Sequence, residues 1–405
     1  MNIIHLVSDL GLGCTAKTAV NFAVGLNQLG HHVEVFALEG GEREGELNKH
    51  SVRFFIGTIE QFAKINYKDV HILHIHESGL PNEGTQYLLK KLPSSVNVIQ
   101  TNIFGGFDEE THERINLRLF VSAATLLKYR LHGGKINKSH GVLYNPVQET
   151  HELVVKTSNS DSGDLIVGRI ARPDILKWDY DFEILLKMLT RCGLKFKLRI
   201  VGAPQEVKNR LIQTGAQIEF VEKINSPEQL KEFYSSLDVL VHMSSIGESF
   251  GCIFVESMNF GVPVVTNSTP ITKLRFWRDN AQVEIIDNGI TGYICKNIVD
   301  MRNAIQLLAS NPIGPISIRE RSLVRFKTVN IIKQLDKFYK RTNASEIIRV
   351  DLEGLQAEHR RREENLFKTP FISINQRVNH KLEVATVFWL RSKRELKALI
   401  KYFLA

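Results

Sequence analysis

The first 150 residues alternate short apolar runs with segments whose apolar side chains recur at helical spacing. The apolar runs cover residues 3–8, 32–38, 69–75, 96–101, 117–123 and 140–145. The first of the intervening segments predicts a helix over 16–29. Strands that alternate with helices favour a parallel sheet covered on both faces. Residues 1–155 are therefore predicted to form a doubly wound α/β domain.

A second series of the same kind begins near residue 164. Its apolar runs cover residues 165–170, 196–202, 218–222, 238–243, 263–267 and 283–287. Between the two series, residues 151–163 are polar and rich in Ser, Asn, Asp and Gly, which is typical of a linker. The chain is thus expected to hold two Rossmann-like domains, 1–155 and 164–342, that face each other across a cleft. In such sheets ligands bind beyond the carboxyl ends of the strands.

Residues 343–405 depart from this rhythm and predict a charged helical extension. Within 387–405, one predicted helical face carries five apolar side chains and another carries three lysines: Trp389, Leu396, Leu399, Ile400 and Phe403 on the first, and Lys393, Lys397 and Lys401 on the second. This pattern fits a terminal helix docked on its own protein, a peripheral contact with an anionic membrane surface, or an oligomer contact.

Composition narrows the choice of partners. Hydrophobic residues make up 43% and charged residues 24% of the chain, as in globular proteins. No apolar run is long enough to span a membrane, and the first residues lack a basic signal-peptide start. A cytoplasmic location is therefore expected, and peripheral binding to the inner face of the membrane through 387–405 is the alternative. The net charge is +8, and the last 60 residues contain 12 Lys and Arg against 8 Asp and Glu. Because no nucleic-acid-binding motif accompanies this charge, nucleic acid is not expected as a partner.

The four cysteines, Cys14, Cys192, Cys252 and Cys295, are widely separated. They show no CxxC spacing, which argues against a zinc site and a disulfide framework. Buried free thiols are expected.

A glycine-rich loop follows the first predicted strand. Gly11, Gly13 and Ala16 match GxGxxA, and Glu39 closes the second strand where a ribose-binding acid would stand. Glycines there let a phosphate approach the start of the next helix. The loop fits phosphate binding, a nicotinamide or flavin oxidoreductase, or a plain tight turn.

Two cations follow the first strand of the second domain. Arg169 ends that strand and Lys177 lies shortly after it, so both can point at a diphosphate; a solvated basic loop is the alternative. Asp179 and Asp181 beside them resemble a metal-binding DxD, but Asp near a helix start more often caps the helix.

The richest pattern runs from 238 to 256. A buried strand ends at a Ser/Gly loop that carries Glu248, and a helix predicted to start near Gly251 carries Glu256. Carboxylates accept paired hydrogen bonds from the vicinal hydroxyls of sugars, and amides at a helix start bind phosphate. The segment therefore predicts a site for a phosphorylated sugar compound.

These motifs resemble those of the retaining GT-B glycosyltransferases of family four, also called glycosyl transferases group 1. Glu248 and Glu256 match the EX7E signature, and residues 250–251 and 261–264 match FG and GxPV. The resemblance spans roughly residues 1–341 and includes Tyr144-Asn145-Pro146 and GITGY at 289–293.

The resemblance implies a donor site. Glu256 would bind the ribose, Arg169 and Lys177 would hold the diphosphate, and Glu248 would position the transferred sugar. It further implies donor contacts from Ser249, Phe250, Gly251 and Gly13. It implies no metal ion and no cofactor beyond the nucleotide-sugar substrate.

The acceptor side departs from the family pattern. The T-x-H that relatives often carry is Thr101-Asn102-Ile103 here, so the histidine is missing. Asn102 and His76 are the candidate acceptor-side residues, with a satisfied polar residue as the alternative for His76. The spacing of His71, His74 and His76 is metal-like, but no acidic partner at a matching spacing completes a site.

The sequence thus predicts transfer of a sugar from a UDP- or GDP-sugar to a glycan or lipid-linked acceptor with retention of configuration, in the synthesis of a surface polysaccharide or glycoconjugate. The alternatives are a catalytically silent homologue that binds sugar nucleotides, and another GT-B reaction such as that of an epimerase or a phosphorylase.

Overall fold

The computed structural model describes residues 1–136, 139–149, 163–178, 181–221, 223–224, 226–270, 278–342 and 352–367. Within these ranges the chain forms two separate sheets, and every strand pairing is parallel. The linker expected at 151–163, apart from its last residue, and the amphipathic segment 387–405 lie outside the described residues.

The first sheet has seven strands in the order β3-β2-β1-β4-β5-β6-β7. Its strands are β1 Asn2–Asp9, β2 His32–Glu39, β3 Arg53–Ile56, β4 Ile72–Glu77, β5 Asn97–Asn102, β6 Leu117–Phe120 and β7 His140–Val142. The helices between them are α1 Cys14–Gln28, α2 Glu44–Lys49, α3 Ile59–Phe62, α4 Glu83–Lys91 and α5 Ala123–Leu131. The order reverses between β1 and β4, which is the switch point where open α/β sheets bind ligands.

The second sheet has six strands in the order β10-β9-β8-β11-β12-β13. Its strands are β8 Leu165–Ile170, β9 Phe196–Val201, β10 Gln217–Val221, β11 Val239–His242, β12 Val264–Asn267 and β13 Gly292–Cys295. The helices that follow β8 are α6 Asp181–Arg191, α7 Gln205–Ile212, α8 Pro227–Ser235, α9 Cys252–Asn259, α10 Gln282–Ile285, α11 Ile298–Ser310, α12 Pro315–Phe326, α13 Thr328–Thr342 and α14 Leu352–Glu364. The switch point of this sheet lies between β8 and β11, so the loops after these strands position the site.

Each sheet is buried on both faces. In the first domain, α1 packs on one face, and α3 and α4 pack on the other. In the second domain, α6, α7 and α11 cover one face, and α8, α9 and α12 cover the opposite one. The apolar cluster beside α9 also includes Val121, Ala124 and Val147 of the first domain, so the core continues across the boundary between the domains.

Three elements differ from the sequence prediction. Residues 283–287 were expected as a strand, but 282–285 form the short helix α10, because a run of buried apolar residues this short fits a strand and a buried helical turn equally well. The edge strands β3 and β13 were not predicted. Each has four residues and pairs with one neighbour, so its sequence signal is weak.

The end of the described chain joins the two domains. Helix α13 leaves the second domain and packs on α1, where Leu335 and Tyr339 enter the core of the first. Helix α14, the described part of the predicted extension, contacts α5 and α10 from different domains. Phe367 bridges to Cys295 of β13 and places its ring 4.8 Å from that of Tyr293. Among the described residues, no helix has the length and apolar character needed to cross a membrane.

Candidate active site

Two helix starts face each other between the domains, in the space that we call the cleft. Gly13 precedes α1 and Gly251 precedes α9, so both helices direct unpaired amides toward the cleft. Gly251 has φ +84°, and a Cβ at this position would lie 2.4 Å from the ring of Phe254. Only glycine therefore fits the turn that starts α9. The positive ends of two helices make this region favourable for an anion.

The first residues of the two helices, Cys14 and Cys252, are joined by a disulfide bond. Free thiols were expected for all four cysteines, and for this pair the expectation was wrong. The two residues are 238 positions apart, and only the packing of the domains brings them together. Cys192 and Cys295 are free, as expected; Cys295 is also buried as expected, whereas Cys192 is exposed.

Glu248 lies on the loop after β11 and is surrounded by positive or polar groups. Lys177 Nζ is 2.8 Å and His242 Nε2 is 3.2 Å from Glu248 Oε1. Burial alone would raise the pKa of Glu248, but the neighbouring His242 and the charge of Lys177 outweigh it and lower the pKa to about 2. Burial also lowers the pKa of His242, so this imidazole is neutral at pH 7. Glu248 is therefore an ionised acceptor rather than a proton donor.

Glu256 lies in the second turn of α9 and faces the start of α1. Lys17 of the first domain reaches across the cleft to Glu256 Oε1 at 2.6 Å, and the Tyr234 hydroxyl donates to Oε2 at 2.9 Å. Burial opposes ionisation of this carboxyl, but the charge and hydrogen bond of Lys17 outweigh it and lower the pKa of Glu256. Each of the two carboxylates predicted for the site thus holds a lysine, one from each domain.

Arg169, which was expected to hold the diphosphate, has its side chain inside the second domain. Its side chain is fully buried, with the guanidinium 4.6 Å from the ring centres of both Trp178 and Phe182. Nη2 donates to the carbonyl oxygens of Lys177 at 2.7 Å and Met243 at 2.8 Å. Arg169 therefore fixes the backbone that carries Lys177.

The segment between the two glutamates contacts the first domain. The Ser122 hydroxyl donates to the carbonyl oxygen of Ser249 at 2.6 Å. The Phe250 ring is buried and lies 5.8 Å from that of Tyr144. The backbone of Ser249 therefore faces the cleft boundary, whereas the Phe250 side chain belongs to the core that continues between the domains.

The two acceptor-side candidates are both buried. Asn102 donates to the Gly106 carbonyl and accepts from the Gly105 amide, each at 2.8 Å, so it closes the loop after β5. His76 lies 2.9 Å from His5, with its Nε2 facing His5 Nδ1. Both side chains are thus buried and hydrogen-bonded to partners within the first domain.

Three histidines do lie together, but they are not the three whose spacing in the sequence is metal-like. His5 takes the place of His71. His5, His74 and His76 form a buried cluster whose ring nitrogens lie within 4.8 Å of one another. His74 contacts the Tyr339 hydroxyl at 2.6 Å and the Thr101 hydroxyl at 2.7 Å. Burial lowers the pKa of all three imidazoles, so they are neutral hydrogen-bonding groups at pH 7. The cluster ties β1 and β4 to helix α13.

The DxD candidate is described only in part. Asp179 lies outside the described residues, and Asp181 is the first residue of α6. An aspartate in the first turn complements the helix dipole, as its position in the sequence suggested.

A further interdomain contact that was not predicted is centred on Glu284. Glu284 of α10 accepts hydrogen bonds from the Ala123 amide at 2.8 Å, the Ala124 amide at 3.3 Å and the Tyr144 hydroxyl at 2.8 Å. Its carboxylate thereby caps α5 of the other domain. In the sequence, Glu284 is a charged residue inside the otherwise apolar segment 283–286. A buried charge needs a partner, so this position was the available sign of a contact.

The second domain carries a family signature. Residues 174–321 match the family model described as glycosyl transferases group 1. This match includes Lys177, Glu248 and Glu256, and it ends within α12. No curated protein sequence matches the chain.

Several solved structures share the fold over most of the chain. Anabaena Alr3699/HepE, solved with UDP and glucose, has 15% identity and a TM-score of 0.65, and the alignment covers 84% of this chain and 99% of that one. A glycosyltransferase from Rickettsia africae has 15% identity and a TM-score of 0.66, with 85% and 99% covered. The lipopolysaccharide outer core galactosyltransferase WaaB, in apo form, has 13% identity and a TM-score of 0.62, with 85% and 99% covered. The predicted two-domain α/β fold of the GT-B type is confirmed.

Proposed function

We propose that this protein is a glycosyltransferase that moves a sugar from a UDP- or GDP-sugar to a glycan or lipid-linked acceptor with retention of anomeric configuration. The observation that carries the proposal is the pair of ionised carboxylates, Glu248 and Glu256, beside the start of α9 and opposite the start of α1. The match to glycosyl transferases group 1 includes both residues, and the similar HepE structure holds UDP and glucose.

In this proposal Glu256 binds the ribose of the donor. A carboxylate accepts two hydrogen bonds from vicinal hydroxyls, and Glu256 already accepts one from Tyr234 and one from Lys17. Lys17 occupies the position that a ribose hydroxyl would take, so donor binding exchanges this lysine for the sugar. The released ammonium group stays at the start of α1, next to the diphosphate.

The diphosphate lies between the amides at the start of α9 and the ammonium group of Lys177. These groups supply positive charge where negative charge develops as the bond between the anomeric carbon and the phosphate oxygen breaks. We propose that they do so without a metal ion. Arg169 acts as a positioning residue, because its hydrogen bonds fix the backbone of Lys177.

Glu248 orients the transferred sugar and stabilises its positive charge in the transition state. With a pKa of about 2, this carboxyl carries no proton to donate at neutral pH. The acceptor hydroxyl forms the new bond to the anomeric carbon as the bond from that carbon to the diphosphate oxygen breaks, and the hydroxyl proton passes to the departing diphosphate oxygen. In a single step without a covalent intermediate, retention requires that the acceptor attack from the face that the diphosphate leaves.

A donor panel tests the proposal. The reduced protein is incubated with UDP-glucose, UDP-N-acetylglucosamine, UDP-galactose and GDP-mannose, and the release of UDP or GDP is measured with and without candidate glycan acceptors. One donor is expected to release its nucleotide, slowly by hydrolysis alone and faster with acceptor. Proton NMR of the product should show the anomeric configuration of the donor, and the inverted anomer would refute retention. Stoichiometric nucleotide binding without turnover would instead show a silent homologue.

Variants locate the donor site. Glu256→Gln and Lys177→Met should each weaken UDP or GDP binding about tenfold or more, the equivalent of one charged hydrogen bond. Glu206→Gln is the matched control, because Glu206 lies on α7 with 67% of its side chain exposed. Equal nucleotide affinity in the wild type and all three variants would show that the nucleotide binds elsewhere.

A peripheral membrane contact through 387–405 is part of the proposal for a lipid-linked acceptor. A chain that ends at 386 should then bind vesicles of anionic phospholipid more weakly than the full chain. Equal partitioning would refute this contact.

A further inference from the structure

We propose that Cys14 and Cys252 form a redox switch that closes the donor site when they are joined by the disulfide bond. This inference rests on the proposed function, because it assigns the cleft to a nucleotide sugar. Both cysteines are the first residues of their helices, and the helices belong to different domains. The bond therefore lies where the two anion-binding helix starts meet.

The bridge leaves no room for a phosphate between these helix starts. The Cα atoms of Cys14 and Cys252 are 6.7 Å apart, and the two side chains fill the space between them. A phosphate that accepts hydrogen bonds from both helix starts needs about 2.9 Å on each side, in addition to its own width. Asn145 also points toward the bridge, with Nδ2 at 3.7 Å from Cys14 Sγ and 3.9 Å from Cys252 Sγ. Binding of a diphosphate here requires the helix starts to move apart.

The closed cleft satisfies its own charges without a donor. Lys17 pairs with Glu256 across the domains, and Ser122 binds the Ser249 backbone. These contacts are an ion pair and a hydrogen bond, so in the reduced protein a bound anion can displace them without breaking a covalent bond. The disulfide holds the contacting groups at a fixed short distance, which raises their effective concentration and strengthens these contacts without any new contact. The oxidised protein is therefore held in the state that excludes the donor.

The chemistry needs only a disulfide reagent. Cys14 is exposed, whereas Cys252 is 7% exposed, so Cys14 meets the reagent first. The Cys14 thiolate attacks one sulfur of a low-molecular-weight disulfide, which releases one thiol and leaves a mixed disulfide on Cys14. The Cys252 thiolate then attacks Cys14 Sγ and releases the second thiol. Two cysteine thiols are oxidised, one reagent disulfide is reduced to two thiols, and a dithiol reverses the reaction.

The test uses the full chain after equilibration with oxidised glutathione or with dithiothreitol. Free thiols are alkylated, and the peptides that carry Cys14 and Cys252 are identified by mass spectrometry. UDP and GDP binding is then measured by calorimetry on both forms. The oxidised protein should contain the linked peptides and bind the nucleotide about tenfold or more weakly, because the apparent Kd rises as the competent population falls. Dithiothreitol should restore the affinity.

Cysteine variants separate the switch from general oxidation. Cys14→Ser and Cys252→Ser should each bind nucleotide with the same affinity in both reagents. Cys192→Ser should respond like the wild type, since Cys192 directly follows α6 and is an exposed free cysteine outside the bridge. The proposal is overturned if the linked peptides do not form, or if the oxidised wild type binds nucleotide as tightly as the reduced protein.

Solution scattering distinguishes failure of the switch from failure of the proposed function. Reduction should let the two helix starts move apart and increase the radius of gyration of the wild type, with no nucleotide present. If this change occurs but neither form binds UDP or GDP, the proposed function is wrong while the tether is real. If the radius of gyration is the same in both forms, the tether does not control the cleft.

Discussion

Replacement of Glu248 by glutamine should cost a large and pH-dependent part of the folding free energy. Glu248 is enclosed by Lys177 and His242, and its pKa falls from 4.5 to about 2. A pKa difference of this size corresponds to about 3 kcal/mol at neutral pH. Because the folded pKa is the lower one, the stabilisation is complete above pH 4.5 and is lost as the pH falls toward 2.

The assay is urea unfolding followed by circular dichroism at pH 7 and pH 3.5. Glu248→Gln should be less stable than the wild type by about 3 kcal/mol at pH 7 and by about 2 kcal/mol at pH 3.5. Glu219→Gln is the control, because Glu219 is paired with Arg199 but 59% exposed, and exposed pairs contribute about 0 to 1 kcal/mol. A Glu248→Gln protein within 1 kcal/mol of the control at pH 7, or a difference that grows at pH 3.5, would refute the reasoning.

Three other variants test the architecture of the site. In Gly251→Ala the alanine would have to adopt a positive φ and its Cβ would meet the Phe254 ring, so the free energy of unfolding should fall by about 2 kcal/mol. The control Gly45→Ala, with open space at its Cβ, should be neutral or slightly stabilising in thermal unfolding. Arg169→Met removes two charged hydrogen bonds and two cation–π contacts and should lower the free energy of unfolding in urea by about 3 kcal/mol. The control Arg361→Met, at a 65% exposed side chain, should lower it by less than about 1 kcal/mol. Equal losses in the two variants would contradict the buried placement of Arg169. Glu284→Ala removes an interdomain cap, so the reduced variant should show a larger radius of gyration than the reduced wild type in solution scattering; an unchanged radius would show that this contact does not hold the domains.

The alternation of strands and helices was enough to predict both sheets, because parallel strands buried on two faces leave continuous apolar runs in the sequence. The start of α9 was predictable for a local reason, since a glycine, a helical run and a second glycine mark its two ends. Strand β13 was missed because an edge strand of four residues carries little pattern of its own. Residues 283–287 were misassigned because burial on every side hides the helical period.

The partners of the site residues could not be predicted, because they come from elements far away in the sequence. Lys17 lies 239 positions before Glu256, and no periodicity links the two. The burial of Arg169 depends on two aromatic rings that close over it from the following loop and helix. The disulfide likewise reflects domain packing rather than cysteine spacing. The sequence therefore indicated which residues carry charge at the site, while their pairing required the fold.

The most direct test of the account is a crystal structure of the reduced protein with UDP or GDP, whichever binds more tightly. The diphosphate should lie at the start of α9 within reach of Lys177. The ribose hydroxyls should lie on Glu256, with Lys17 displaced from that carboxylate. A nucleotide bound away from α9, or bound while the Lys17–Glu256 pair remains intact, would contradict the account.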